Sequence, residues 1–278
     1  MTIDLRLGSW QSTLDAGPSR IPDASVRLLL TSPPYDNART YEGTQTEPVD
    51  FGELARFALR VLVPGGTLAM VLDGAVNDGE QSVTPYRVIC EWAALDGWRL
   101  LQVLAYGRQG APGEYVGRFR RDHEPLIVMV KDGAKHVCEK ARIAERSCFA
   151  EGRRSPSPRM GINRNNDGSV KGRKSTRDDA FDIAHRGSLW WYGSGQAVCN
   201  NTGHPATFAE RFALDAVQVW SNPGDLVCDP FAGSATVGRA CIDLGRSFVG
   251  AERVPKYHAI GVERLRQTSI FDRIGAAS

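Results

Sequence analysis

The sequence predicts an α/β protein with a doubly wound, mostly parallel sheet that a long insertion interrupts. Three observations predict this class. Short apolar runs alternate with segments of helical spacing near both ends of the chain, several of these runs end at a proline or an acidic residue, and the middle of the chain is irregular. Such alternation is typical of parallel strands connected by crossover helices. With 278 residues, the chain is long enough for one large domain with an inserted region.

The first half of the chain begins this alternation. The run VRLLLTS is apolar and is followed by two prolines, which is typical of a buried parallel strand with a functional turn at its end. A Pro-Gly-Gly sequence at 64–66 then separates a helical segment from a strand. The predicted strands cover residues 26–32, 67–72, 99–106 and 125–131, and the predicted helices cover 51–62 and 85–95.

The alternation resumes near residue 206, after a mixed and mostly irregular stretch. A Pro-Gly-Asp turn at 223–225 precedes a short strand, and a turn of small residues leads from that strand into a helix. The predicted helices cover residues 206–220, 236–244 and 255–266, and the predicted strands cover 226–228 and 247–251.

The composition excludes several protein classes. Apolar residues make up 42% of the chain and charged residues 24%, close to globular averages. No apolar run approaches the ~20 residues of a membrane span, and the first residues lack the apolar stretch of a signal peptide. The six cysteines form no CxxC pair, so we expect no metal site. We therefore expect a cytoplasmic protein without membrane contact.

Positive charge is concentrated in residues 151–177. This stretch has eight Arg or Lys residues against two acidic ones, whereas the whole chain has a net charge of only +2. It has few large apolar residues and is rich in Gly, Ser, Asn and Pro, so it cannot order itself by burial alone. The stretch is consistent with a solvated loop or with a loop that orders on nucleic acid by contacting phosphates.

The segment 226–253 has the features of a cofactor site. A strand ends at Asp229, a turn of small residues follows, and a second strand ends at Glu252. In an open α/β sheet, ligands bind at the carboxyl ends of strands, and Gly233 permits close approach to the backbone. Glu252 is placed to accept hydrogen bonds from ribose hydroxyls. Because position 235 is alanine and not glycine, we expect that this residue need not adopt a positive φ.

This turn does not match a phosphate-binding loop. No Gly-Lys-Ser/Thr sequence follows it, and a carboxylate that faces the ligand would repel a pyrophosphate. A cofactor that carries a cationic amino-acid group fits better, because Asp229 can pair with an ammonium. The sequence therefore predicts an adenosine-containing cofactor with such a group.

The sequence Ser32-Pro33-Pro34-Tyr35 has the features of a catalytic loop. Consecutive prolines at the end of a buried strand make the loop extended and rigid, which suits a site that must hold an amino group in a fixed geometry. The Ser32 hydroxyl and the Pro33 carbonyl are acceptors for an exocyclic amine, and the Tyr35 ring can stack on a planar base.

On these two motifs, the chain resembles the β class of DNA amino-methyltransferases that use S-adenosyl-L-methionine, most of all the N4-cytosine-specific members. The tetrapeptide at 32–35 resembles the catalytic motif of that family, and DPFAGSAT at 229–236 resembles its cofactor motif. The catalytic motif precedes the cofactor motif, as in the β class. The sequence HPATF at 204–208 resembles a segment that walls the cofactor pocket. Gly8-Ser9 stands where many relatives have Gly-Asp.

The resemblance implies a Rossmann-like methyltransferase fold with an inserted target-recognition region. It divides the chain into a catalytic half at 1–131, an insertion at 132–199 and a cofactor-binding half at 200–278. The implied catalytic residues are Ser32, Pro33, Pro34 and Tyr35. The implied cofactor-binding residues are Thr31, His204, Pro205, Thr207, Phe208, Asp229, Pro230, Phe231, Ala232, Gly233, Ser234 and Glu252.

The resemblance also implies that the enzyme is a site-specific methyltransferase that transfers the methyl group to N4 of a cytosine flipped out of double-stranded DNA. The candidates for DNA contact are all basic: Arg118, Arg120, Arg121, Arg153, Arg154, Arg164, Lys171, Arg173 and Lys174. The resemblance further implies a nucleoid-associated protein of prokaryotic type. A homodimer and a companion restriction endonuclease encoded elsewhere are compatible with this assignment. Three alternatives stay open: methylation of adenine N6, methylation of RNA or protein glutamine, and a non-catalytic nucleic-acid-binding module of the same fold.

Overall fold

The computed structural model describes residues 1–34, 48–77, 80–108, 122–143, 187–192 and 209–267, with isolated positions and short backbone stretches elsewhere. The strands of its main sheet are β1 (Ile3–Leu7), β2 (Val26–Thr31), β3 (Leu62–Val71), β4 (Trp98–Arg108), β5 (His123–Lys131), β6 (Leu189–Tyr192), β7 (Leu226–Asp229) and β8 (Ser247–Glu252). The helices are α1 (Phe51–Val61), α2 (Thr84–Ala93), α3 (Glu210–Trp220), α4 (Thr236–Leu244) and α5 (Pro255–Arg266). Among the helices described, none is long and apolar enough to cross a bilayer.

The eight strands form one sheet in the order β1-β8-β7-β2-β3-β5-β4-β6. Neighbouring strands are parallel except where β5 runs antiparallel to both β3 and β4, so the prediction of a mostly parallel sheet is confirmed. From β2 the chain moves toward one edge of the sheet, and from β7 it moves toward the other. The carboxyl ends of β2 and β7 therefore meet at the topological switch point, where open α/β sheets bind ligands.

Helices cover both faces of the sheet. On one face, Met70 of β3 packs in a common core with Phe57 of α1 and Trp92 of α2. On the other face, the ring of Tyr106 in β4 contacts that of Phe212 in α3, with centroids 4.5 Å apart. This three-layer arrangement buries strands on both faces, which explains why β2 and β3 appear in the sequence as continuous apolar runs.

Two strands of the sheet were not predicted from the sequence. In β1, charged Asp4 and Arg6 alternate with apolar residues, and the strand lies at an edge, where it pairs only with β8. At the opposite edge, β6 has the sequence LWWY and pairs with β4. Short edge strands bury one face at most, so their apolar pattern is too brief to separate from that of the surrounding loops.

A second compact unit comprises Lys140–Arg186. Within it, the structure describes a 3₁₀ turn at Lys140–Ile143 and two short antiparallel ladders, one of which pairs Ile162–Arg164 with Val170–Gly172. The unit is narrower than the predicted insertion at 132–199. Residues 132–139 belong to the larger unit, where the Glu139 amide donates to the Val219 carbonyl (3.0 Å), and residues 187–192 contain β6.

Close packing of α4 on the sheet depends on Gly238. A Cβ at this position would lie 2.8 Å from Cε1 of Phe248 and 2.9 Å from Cδ2 of Leu265. We expect Gly238→Ala to lower the free energy of unfolding by about 1–2 kcal/mol, because overpacking outweighs the gain in helix propensity of up to ~1 kcal/mol. Urea denaturation measures the change. The control is Gly52→Ala in the first turn of α1, where a Cβ would lie 3.2 Å from Oδ1 of the exposed Asp50 side chain and helix propensity is gained. We expect it to lose no more than about 0.5 kcal/mol, and an equally small loss for Gly238→Ala would contradict the prediction.

Candidate active site at the switch point

The predicted cofactor turn connects β7 to α4. Asp229, almost fully buried at 2% exposure, ends the strand, and Pro230 to Ala235 form the turn. Ala235 adopts a left-handed conformation with φ +57°, contrary to the expectation that an alanine here need not adopt a positive φ. Two short hydrogen bonds account for this conformation, since the Ala235 amide donates to the Ala232 carbonyl (2.8 Å) and its own carbonyl accepts the first amide bond of α4 (2.9 Å). Alanine tolerates this geometry at a cost of about 1–2 kcal/mol.

A buried hydrogen bond joins the cofactor turn to the catalytic strand. The Thr31 hydroxyl, at the end of β2, donates to Oδ1 of Asp229 over 2.7 Å. The Phe231 amide donates to the same oxygen (3.1 Å), so Asp229 also fixes the start of the turn. Thr31 and Asp229 were both predicted to lie in the cofactor site, and the structure brings them together although 198 positions separate them.

Glu252, at the end of β8, holds the turn from the neighbouring strand. Its Oε2 accepts a hydrogen bond from the Gly233 amide (2.9 Å), and its Oε1 accepts one from the Val254 amide (2.8 Å). Gly233 has a positive φ of +52°. The Gly8 amide donates to the Glu252 backbone carbonyl (2.9 Å), which places the Gly8-Ser9 pair beside this strand end. Each carboxylate oxygen can accept a further hydrogen bond, so Glu252 can bind ligand hydroxyls while it supports the turn.

The two carboxylates lie in an environment that disfavours negative charge. Burial raises the pKa of Asp229 to about 7, with a smaller contribution from the Glu252 carboxylate; the hydrogen bonds from Thr31 and Phe231 oppose the rise. Burial also raises the pKa of Glu252, against the amide hydrogen bonds of Val254 and Gly233. A cation that binds at this place would relieve the repulsion. The electrostatics therefore suit a positively charged ligand.

The described part of the catalytic loop follows Thr31 directly. Ser32 and Pro34 are partly exposed, while Pro33 is buried. Because the carboxyl ends of β2 and β7 are adjacent, these residues follow the strand that lies next to the cofactor turn. Tyr35 lies outside the described residues, as do His204, Pro205, Thr207 and Phe208, so their predicted roles stay predictions.

Arg264 of α5 supports the cofactor turn from behind and was not predicted from the sequence. Its guanidinium is buried (6% exposed) and donates to the hydroxyls of Ser234 (3.4 Å) and Thr236 (3.0 Å) and to the Glu210 carboxylate. In the sequence, Arg264 is one of several basic residues in a helix of ordinary polar character. The structure shows that this arginine ties α5, the turn and the start of α3 together.

We expect Arg264→Gln to lower the free energy of unfolding by about 2–4 kcal/mol, because the change leaves buried polar groups without their charged partner. Glu210 is partly exposed, which keeps the loss at the lower end of that range. Arg266→Gln, at an exposed position of the same helix, is the matched control. Thermal unfolding with and without cofactor measures both variants, and equal stabilities of the two would contradict the assigned role.

Two further buried acidic residues lie at the carboxyl end of β3, next to the catalytic strand. Asp73 is 7% exposed, and its Oδ1 accepts the Gly74 amide (2.8 Å). Glu124 of β5 is 8% exposed. The register pairs Val71 with Leu126, and the Leu72 amide donates to the Pro125 carbonyl, so continuing the ladder by two residues brings Asp73 opposite Glu124. An acidic residue immediately after a predicted strand was the available signal for Asp73.

The predicted DNA-contacting side chains are not described. Arg164 and Lys171 lie in the short ladder of the smaller unit, of which the backbone alone is described. The other predicted DNA-binding residues lie outside the described part of the chain: Arg118, Arg120, Arg121, Arg153, Arg154, Arg173 and Lys174.

Comparison with known proteins assigns this arrangement to a family. A family described as DNA methylase, which covers N6 and N4 methyltransferases, matches residues 26–263. The orphan methyltransferase M.BamHII of Bacillus amyloliquefaciens is 27% identical over 91% of this chain and 93% of its own length. The solved complex of M1.HpyAVI with SAM covers 96% of this chain and all of its own, with a TM-score of 0.58 and 17% identity. The solved structure of the cytosine-N4-specific PvuII DNA methyltransferase covers 99% of this chain and 92% of its own chain, with a TM-score of 0.64 and 18% identity. The chain belongs to the N6/N4 DNA methylase family.

Proposed function

We propose that this protein is a site-specific DNA methyltransferase that transfers the methyl group of S-adenosyl-L-methionine to N4 of a flipped cytosine. The observation that carries the proposal is the hydrogen bond from Thr31 to Asp229, which joins the Ser32-Pro33-Pro34 loop to the cofactor turn. A methyl donor held by the turn and an amine held by the loop would therefore lie side by side. Proximity of this kind is the main requirement of a direct transfer.

The cofactor is S-adenosyl-L-methionine, and it supplies an electrophilic methyl group on a sulfonium centre. The residues present fit it. Asp229 offers a carboxylate to the ammonium of its amino-acid part, and Glu252 offers acceptors to ribose hydroxyls. Gly233, without a Cβ and at φ +52°, permits close approach of the ligand to the turn.

The loop after β2 supplies what an exocyclic amine requires. The Ser32 hydroxyl and the Pro33 carbonyl accept hydrogen bonds from the amine and so direct its lone pair toward the methyl group. Tyr35 stacks on the flipped base and offsets part of the cost of unstacking, which is a few kcal/mol. Serine at the first position of this motif supports cytosine N4 as the target.

The substrate is double-stranded DNA. The excess of positive charge in residues 151–177 supports this proposal, because basic side chains that contact phosphates supply much of the affinity for DNA and position it. Within that stretch, the backbone at Arg164 and at Lys171 lies in a short antiparallel ladder.

Nucleoside mass spectrometry tests the target base. Purified protein is incubated with unmethylated genomic DNA and S-adenosyl-L-methionine, and the DNA is digested to nucleosides. We expect N4-methylcytosine. N6-methyladenine would instead establish the alternative, which is supported by the matching family and by an adenine-specific relative of similar coverage. Absence of both from DNA, with methylation of RNA or with no cofactor binding by calorimetry, would overturn the proposal.

We expect charge reversal in the basic stretch to weaken DNA binding strongly. Changing Arg153, Arg154, Arg173 and Lys174 to Glu removes up to four phosphate contacts. The slope of the logarithm of the DNA association constant against the logarithm of salt concentration is negative, and its magnitude should decrease by about 3–4. Fluorescence anisotropy on a duplex at several salt concentrations measures it. The control reverses four exposed arginines of the larger unit, Arg56, Arg87, Arg99 and Arg266, with the same change in net charge. Equal slopes for the two variants would show that the stretch is a solvated loop.

A further inference from the structure

Thr31 has a position that cofactor binding alone does not explain. It is the last residue of β2, it is completely buried, and Ser32 follows it directly in the catalytic loop. Its hydroxyl donates a hydrogen bond to Oδ1 of Asp229, a residue that is itself only 2% exposed. The hydroxyl therefore lies between the group that receives the cofactor cation and the backbone that carries the catalytic serine.

The acceptor oxygen of this hydrogen bond serves both the catalytic strand and the cofactor turn. Asp229 Oδ1 accepts two bonds, from the Thr31 hydroxyl (2.7 Å) and from the Phe231 amide (3.1 Å), so one oxygen is shared by the catalytic strand and the cofactor turn. In the ladder, Cys228 pairs with Leu29, so the two strands are in register just before this point. Beyond the ladder, the side-chain bond continues the connection between them.

We propose that Thr31 is a positioning residue that couples cofactor occupancy to the geometry of the catalytic loop. This inference rests on the proposed function, because it assigns Ser32 and Asp229 to the amine and to the cofactor, respectively. A hydrogen bond to a charged acceptor is shorter and stronger than one to a neutral acceptor. Asp229 paired with the cofactor ammonium is held as a carboxylate, so it binds the Thr31 hydroxyl more tightly. The end of β2 is then fixed, and Ser32 with it.

The coupling has a thermodynamic consequence. If the cofactor orders the loop that receives the base, then base capture must in turn strengthen cofactor binding by the same factor. The difference between a charged and a neutral hydrogen bond corresponds to roughly 5- to 10-fold in affinity. DNA should therefore bind more tightly to the cofactor-loaded protein by about that factor, and the gain should depend on the Thr31 hydroxyl.

Two substitutions at one position separate coupling from packing. Thr31→Val keeps the branched shape but removes the hydroxyl, and Thr31→Ser keeps the hydroxyl but removes the methyl group. Each protein is titrated with S-adenosylhomocysteine by calorimetry, and with unmethylated duplex DNA in its presence and absence. Each Thr31 variant is also made in the Asp229→Asn background, which completes a double-mutant cycle on cofactor affinity.

We expect Thr31→Val to lose the gain in DNA affinity and to lower kcat by about 5- to 10-fold, with Thr31→Ser close to wild type in both. In the Asp229→Asn background, Thr31→Val should have little further effect on cofactor affinity. Two results would overturn the inference. One is a Thr31→Val protein whose DNA affinity still rises with cofactor as in the wild type. The other is additivity of the effects of the Thr31 and Asp229 substitutions on cofactor affinity. Thermal unfolding of both variants serves as the control. If both unfold at the same lowered temperature and only Thr31→Val loses the coupling, reduced stability is excluded as the cause of that loss.

Failure of the inference differs visibly from failure of the proposed function. The proposed function fails if the wild-type protein methylates no DNA, which the nucleoside assay detects. The inference is judged on the variants relative to wild type, and the double-mutant cycle on cofactor affinity needs neither DNA nor turnover.

Discussion

Ser32→Ala should reduce methyl transfer at least about 100-fold while it changes cofactor affinity less than about twofold. The side chain follows the last residue of β2 and is partly exposed, so it is accessible to a base that enters beside the cofactor turn. Loss of its hydroxyl removes one of the two acceptors that direct the lone pair of the amine. The Pro33 carbonyl remains, but a single acceptor leaves the amine free to rotate.

Single-turnover transfer of a radiolabelled methyl group measures the rate, and calorimetry measures cofactor affinity. Ser25→Ala is the matched control: Ser25 lies just before β2 and its hydroxyl donates to the Pro22 carbonyl (2.7 Å), away from the site. We expect wild-type rates for Ser25→Ala, and for Tyr35→Ala a loss as large as that of Ser32→Ala. Retained transfer in Ser32→Ala would place the chemistry elsewhere, and lost cofactor affinity would assign Ser32 a structural role.

The main features of the fold and site could be predicted because they depend on local sequence. The strand that ends at Asp229, the turn of small residues and the strand that ends at Glu252 follow one another within about 25 residues, and each is a short-range pattern. The Pro-Pro pair after VRLLLT marks the end of β2 in the same way. In an open parallel sheet, strand ends meet at one edge, so both motifs could be assigned to the same end of the sheet from the sequence.

Other features depend on contacts between distant parts of the chain. The Thr31 hydroxyl could have faced any neighbour, and only the adjacency of β2 and β7 makes Asp229 its acceptor. Arg264 could not be distinguished from the exposed Arg266 until the packing of α5 against the turn was known. At Ala235, residue type was a poor guide, because two hydrogen bonds in the turn overcome the preference of alanine for negative φ.

Asp229→Asn should weaken cofactor binding about 10- to 100-fold near pH 8, because it removes the charge that pairs with the ammonium. It should also remove a pH dependence that the wild-type protein shows. In the free protein, burial places the pKa of Asp229 at about 7, and the other acidic group that faces it is Glu252 of β8. Binding of a cation favours the carboxylate and so lowers that pKa. The bound protein then holds fewer protons than the free protein around pH 7.

The sign of the effect follows from linkage. Since cofactor binding releases a proton from Asp229, affinity must rise as pH rises through about 7, by about tenfold between pH 6 and pH 8. For folding the sign is opposite: the pKa is raised above its value in the unfolded chain, so Asp229 lowers the stability of the free protein as pH rises from about 4 to 7. In Asp229→Asn, both dependences should disappear together.

Calorimetric titrations with S-adenosyl-L-methionine at pH 6, 7 and 8, in buffers of different ionisation enthalpy, measure affinity and proton release at once. The free cofactor ionises identically in the two titrations, so the difference between wild type and Asp229→Asn reports on the pairing of this carboxylate with the ammonium. An affinity of the wild type that is flat or falls over this range would show that the cation does not pair with Asp229. The carboxylate would then serve only to hold the Thr31 hydroxyl and the Phe231 amide, and the turn alone would orient the cofactor.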